Sequence, residues 1–122
     1  MDLAEARVRL AALRPHLDSI VEVRADLIEL RIDLDTAGHS PLGGLAEAKA
    51  SEARLYAEME AVRDAGAELR GWAPVLLDFP GQRDGVDVLW CWLEGEDDIG
   101  WYHRADCGFA GRRRVGTDLG SG

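Results

Sequence analysis

The apolar pattern of this chain changes period at Gly66. Before that residue apolar side chains recur at intervals of three and four; after it they alternate in short runs separated by Gly, Pro and Asp. A helix-period half followed by a strand-period half restricts the chain to the α+β class. In the first half, Leu3, Ala6, Leu10, Leu13, Leu17 and Ile20 line one helical face. The series then continues through Val23, Leu27, Leu30 and Leu34, one position out of phase, as at a stammer. Asp2 and Glu5 have capping-box spacing, so this helix can begin almost at once. Pro15 cannot donate to the helical ladder and predicts a kink or short break near residues 11–15.

Gly, Ser and Pro between Thr36 and Gly44 mark a turn, with Ser40 as the expected cap and Pro41 at the first helical position. Leu45 to Ala65 then favours a second helix, with Leu45, Ala48, Leu55, Met59 and Val62 on one stripe. Ala46, Ala50, Ala53 and Ala57 form a second stripe beside it, whose small side chains would permit close helix approach. Gly66 suits a left-handed helix terminus. With so short a connection the two helices should lie antiparallel.

Beyond Gly66 the strand candidates are Ala67–Arg70, Pro74–Phe79, Val86–Glu94 and Ile99–Arg104, with turns at Arg83–Gly85 and Gly95–Asp98. The expected fold is a single domain over 1–122: an N-terminal antiparallel helical hairpin (1–66) packed on a small, mostly antiparallel sheet of three or four strands (67–115), with a flexible tail (116–122). Val88, Trp90, Trp92 and Glu94 should share one face of the longest strand, and Leu89, Cys91 and Leu93 the other. Both faces are apolar enough to need a cover. The hairpin supplies one, and the tail, a second subunit or a ligand must supply the other, which points to a homodimer or a binding groove. A two- or four-residue turn after Glu94 would put Trp101 and His103 on the face of Trp90 and Trp92, away from Cys91.

The net charge of −9, from 23 acidic against 14 basic side chains, would repel a phosphate backbone and disfavours nucleic acid as a partner. Arg112 to Arg114 reads as a solvated basic end, with no interleaved aromatic platform. No apolar run approaches the ~20 residues that span a bilayer, and the first residues lack the basic start of a signal peptide, so a cytoplasmic location away from membranes is expected. Cys91 and Cys107 should there remain thiols; their spacing fits neither a zinc knuckle nor a thioredoxin motif.

The chemistry-bearing residues crowd between Asp78 and Arg112. His103 with Glu94 and Glu96 could bind a divalent metal, His103 and Glu96 as its ligands, or perform acid-base work. Asp78 stands between Leu77 and Phe79, where a carboxylate must be paired or exposed, and Arg112 is the expected partner. Asp78, Glu94, Glu96, His103 and Arg112 are therefore the candidate ligand-binding residues, and no catalytic residue is assigned. A Cys91–His103 dyad is disfavoured by the expected strand parity. Trp90, Trp92 and Trp101 read as core rather than as an aromatic cage. Without a nucleophile-base pair or a cofactor fingerprint, the expectation is a non-catalytic interaction or ligand-binding module. The alternative is a small metal-dependent or acid-base enzyme using His103 with Glu94 or Glu96. A third possibility, assembly through the helical hairpin, would be sensitive to polar substitutions at Leu55 and Met59.

The segments LLDFP (Leu76–Pro80), DG (Asp84–Gly85), CW (Cys91–Trp92), GE (Gly95–Glu96), His103 and GFAGR (Gly108–Arg112) occur together in this order. In that combination the chain resembles the bacterial family known as domain of unknown function 2203. The resemblance runs over essentially the whole chain and is most specific from Asp78 onward. It supports the fold and the position of a site, and implies no particular reaction. One position departs from it: the family pattern is Trp-His, whereas Tyr102 precedes His103 here and Trp101 stands one place earlier.

Overall fold

The structure, a computed structural model, describes residues 1–116. Two helices, α1 (Leu3–Ala37) and α2 (Leu45–Asp64), precede five strands: β1 (Glu68–Trp72), β2 (Val75–Arg83), β3 (Val86–Leu93), β4 (Trp101–Arg104) and β5 (Arg113–Arg114). The class is α+β. The strands form one antiparallel sheet in chain order, β1-β2-β3-β4-β5. This is one strand more than the expected three or four. The extra strand is Arg113–Arg114, which pairs with Trp101 and Tyr102 instead of trailing as a solvated end. All but the first residue of the expected tail, 116–122, lies outside the described residues.

The chain divides into two compact units, one formed by Met1–Arg14 with the residues from Val62 onward, the other by Pro15–Ala61. The division passes through both helices rather than falling at Gly66. Within the second unit the helices run antiparallel, as their cross-helix pairs show. His16 Nδ1 lies 2.7 Å from Glu58 Oε2, Arg54 donates to Ser19 Oγ at 3.2 Å, and Arg31 pairs with Glu52. Leu17, Ile20, Val23, Leu27 and Leu30 are buried, so the stripe stays inside across its phase slip. Each such burial contributes roughly 1.5–3 kcal/mol. Helix α1 runs through Pro15 without the expected break. One missing ladder bond is offset by the helical turns and buried residues on either side.

Two details of the hairpin differ from the sequence reading. Helix α2 starts at Leu45, the first residue of the helix-favouring run, and Ser40 and Pro41 do not form its cap and first turn. Gly43 takes φ +126°, off the helical path, and the Gly44 N–H is instead satisfied by Glu47 Oε1 at 2.9 Å, half of a capping box. Ala46, Ala50, Ala53 and Ala57 are exposed rather than facing the first helix, whereas Leu55 is only 8% exposed. A polar substitution at Leu55 would therefore disturb the chain's own interior before any subunit contact.

In the first unit, Asp2 Oδ1 caps α1 by accepting the Glu5 N–H at 2.7 Å. The opening turns of α1 lie by the sheet: Arg7 donates twice to the Ile99 carbonyl, at 3.1 and 2.8 Å, and Arg14 sits 5.1 Å from the Trp92 ring centre. Pro80 lies past the last β1 pairing, Glu68 with Asp78, so its missing N–H breaks no bond on that edge. Its free carbonyl accepts the Met1 amino group at 2.8 Å, while Trp90 Nε1 donates to the Met1 carbonyl at 2.9 Å. Gly81 makes room for this, since a Cβ there would stand 2.1 Å from the Met1 oxygen. Among the described residues, no helix is long and apolar enough to cross a membrane.

Candidate functional site

The β2–β3 turn determines the first contact of the site. Asp84 (φ 52°) and Gly85 (φ 79°) both take the left-handed conformation of a type I′ hairpin turn. A two-residue turn of that kind aligns Arg83 with Val86 and, counting back, Asp78 with Cys91 and Phe79 with Trp90. Asp78 and Cys91 therefore point from the same face, with Leu76, Leu89 and Leu93, while Leu77, Phe79, Trp90 and Trp92 point from the other.

The β3–β4 connection determines the second contact and overturns the expected parity. β3 ends at Leu93 and β4 begins at Trp101, so the connection, 94–100, has an odd number of residues. Cys91 consequently pairs with Trp101, and Leu89 with His103. His103 shares a face with Cys91 and Asp78, and Trp101 faces away from Trp90 and Trp92, so those three indoles form no cage. Side chains of β2 and β4, two strand spacings apart at ~10 Å, meet above the intervening strand. Asp78 Oδ1 lies 3.3 Å from His103 Nε2, over the small side chain of Cys91. Donor atoms of Asp78, Cys91 and His103 all fall within 4.8 Å of one another, and all three residues are buried.

Two members of the trio, His103 and Asp78, have outer partners. His103 Nδ1 faces the Arg104 carbonyl at 2.9 Å; a carbonyl only accepts, so Nδ1 carries the proton. Nε2 is thereby left facing Asp78 Oδ1. Asp78 Oδ2 accepts from Arg70 Nε at 3.3 Å. The partner of Asp78 is thus Arg70, from the neighbouring strand, and not Arg112. Burial first, then the Asp78 carboxylate, pushes the Cys91 thiol up to about 12 from its usual 9.0. Although Cys91 and His103 do come together, the thiol keeps its proton and is no thiolate nucleophile.

Glu94, Glu96 and Arg112 have other tasks. Glu94 Oε1 accepts the Val75 N–H at 2.9 Å and closes the end of the β2–β3 pair. Glu96 Oε1 accepts the Leu93 N–H at 2.7 Å, and its two oxygens receive Arg112 at 2.8 and 3.0 Å. Arg112 also stacks against Trp101 and Phe109, 4.8 and 4.9 Å from their ring centres. This pair joins the GE loop to the GFAGR segment. It does not assemble with His103, because His103 lies opposite Leu89, four residues or ~13 Å along β3 from the end that carries Glu94 and Glu96. Among the described residues, the side chains of metal-ligating type that lie close enough to share one ion are Asp78, Cys91 and His103, a group that does not include Glu96.

The GFAGR segment gives the second sheet face a partial cover and leaves two recesses beside Phe109, which is 46% exposed. One, of about 350 Å³, is lined by Arg70, Leu76, Asp78, Leu89, His103, Ala105, Gly108 and Phe109, so it opens onto the polar centre. The other, of about 520 Å³, is lined chiefly by apolar groups, among them Trp72, Pro74, Leu76, Leu93 and Phe109. Tyr102, at the departure from the family pattern, points to the other face: its ring centre is 6.0 Å from that of Trp90, with Arg83 stacked 4.3 Å away. Tyr102 takes no part in the Asp78–His103 contact.

The family model described as uncharacterized conserved protein (DUF2203) matches residues 1–115. No curated protein and no solved structure matches the chain. The chain belongs to the DUF2203 family.

Proposed function

Starting from that membership, we propose that this DUF2203 protein is a non-catalytic ligand-binding module whose site is the recess above Asp78 and His103. One observation carries the reading: three buried titratable side chains converge at the floor of an open recess, on a sheet face that apolar residues could have filled. Hydrogen bonds at best offset the desolvation of such groups where apolar side chains would add stability outright, so their presence is better explained by binding than by folding. The neutral thiol argues against nucleophilic chemistry at Cys91. Leu76, Leu89 and Phe109 offer apolar contact around the polar floor, the usual composition of a small-ligand pocket.

A reducing cytoplasm suits a chain whose two cysteines are free. Self-association through α1 belongs to the same reading: Ile28 and Ile32, one turn apart, are 44% and 57% exposed. Native mass spectrometry of untagged, reduced protein purified without chelator reads ligand mass and subunit count together. A stoichiometric adduct is expected in the wild type and its loss in Ala105→Trp, which fills the recess from an exposed position. A protein that carries no adduct of any kind, or that keeps an organic adduct in Ala105→Trp, would overturn the reading.

A further inference from the structure

We infer that Asp78, Cys91 and His103 form a binding site for a zinc-class divalent cation, with a fourth coordination position open to the recess. The inference rests on the ligand-binding reading of the same site and names what is bound. Carboxylate oxygen, thiolate sulfur and imidazole nitrogen are the donors that zinc and neighbouring metals take. The separations, up to 4.8 Å among the three donor atoms and 3.3 Å between Asp78 Oδ1 and His103 Nε2, surround a space that one ion can fill after small side-chain adjustments.

The outer contacts favour a cation more specifically than the donors alone. His103 is held by an Nδ1–H bond to the Arg104 carbonyl, which turns the Nε2 lone pair inward. Asp78 can give Oδ1 to the ion while Oδ2 keeps its bond to Arg70. A metal would sit between Oδ1 and Nε2 and would displace the thiol proton of Cys91. With one carboxylate, one thiolate and one neutral imidazole, a divalent ion leaves the buried centre uncharged. Asp78 and His103 line the recess and Cys91 does not, so the open position faces solvent and the sulfur lies beneath. Three protein ligands and one open position are the arrangement in which zinc holds a water or an exchangeable ligand.

The test is an anaerobic titration of the reduced, metal-stripped full chain with Co²⁺, followed by absorption. One equivalent is expected to bind, with a thiolate-to-cobalt charge-transfer band in the near ultraviolet that Zn²⁺ then bleaches. The band should vanish in Cys91→Ser, with circular dichroism reporting whether the fold is kept, and remain in Cys107→Ser and Glu96→Gln. X-ray absorption of the zinc-loaded wild type reads the same point without any variant: one sulfur at about 2.3 Å among nitrogen and oxygen scatterers is expected. A shell without sulfur, or a band that survives in Cys91→Ser or is lost in Cys107→Ser, overturns the site. Failure here is distinguishable from failure of the ligand-binding reading. An organic adduct that Ala105→Trp removes, with no cobalt bound, refutes the metal alone; neither adduct nor cobalt refutes both.

Discussion

The two faces of the sheet are built from the same strands, and alternate residues send opposite kinds of side chain to each. On one face Leu77, Phe79, Trp90 and Trp92 are buried with scarcely a polar atom unaccounted for, the Trp90 and Trp92 N–H groups going to the Met1 and Glu96 carbonyls. On the other, one residue along each strand, Asp78, Cys91 and His103 are buried just as deeply. Equal burial with opposite chemistry separates two roles. The first face supplies apolar area that drives folding; the second holds polar groups whose desolvation has to be offset by their own hydrogen bonds. A core needs only the first.

The largest expected effect breaks the comparison from the apolar side. Phe79, fully buried, should lose about 3–5 kcal/mol of stability on Phe79→Ala, measured by urea denaturation. A loss below ~1 kcal/mol would mean that this face is not the main core.

Cys91 sharpens the comparison through pH. The unfolded thiol ionises near 9.0, whereas the folded one keeps its proton to about 12, so between those values the folded state binds more protons. The stabilising contribution is complete below pH 9 and is lost as pH rises towards 12. Wild type should therefore lose stability across that window more steeply than Cys91→Ala. At pH 8 a thiol reagent should label Cys107, which is exposed, and reach Cys91 only on unfolding. Rapid labelling of both thiols in folded protein would contradict this.

The smallest effect is expected at the residue beside the site. Tyr102→Trp, which keeps a large aromatic on the Trp90 face, should change stability by less than ~1 kcal/mol and leave the His103 imidazole resonances where they are. A shift of those resonances would show that the two faces communicate through β4.

Much of this arrangement was legible in the chain. The three-four spacing of α1 located its buried stripe, and Asp84–Gly85 located a hairpin. That same dipeptide also specified the pairing of Asp78 with Cys91, because residues equidistant from a two-residue turn face each other. Cys91 could therefore have been included in the site from sequence alone. His103 could not. Its face depends on whether the 94–100 loop is odd or even, and the Gly, Glu and Asp residues there permit either. Arg112 was drawn towards Asp78 by its charge, but Glu96 lies nearer its place on the loop; Arg70 arrives beside Asp78 through β1–β2 pairing, which includes a bulge between Leu69 and Gly71. The start of α2 at Leu45 is legible in its helix-favouring run, whereas Ser40 and Pro41, good capping residues in isolation, belong to a turn that the Gly43 N–H closes onto the Ser40 carbonyl.

The most direct measurement is a double-mutant cycle in urea on Asp78→Leu and His103→Leu, with the metal-stripped protein. Each single change strands a buried polar partner and should cost about 3–5 kcal/mol. The double change removes both and should return stability to within ~1 kcal/mol of wild type, or above it, while abolishing ligand binding. A double variant that loses as much as the two singles combined would mean that Asp78 and His103 hold the fold together, and that the second face is a core after all.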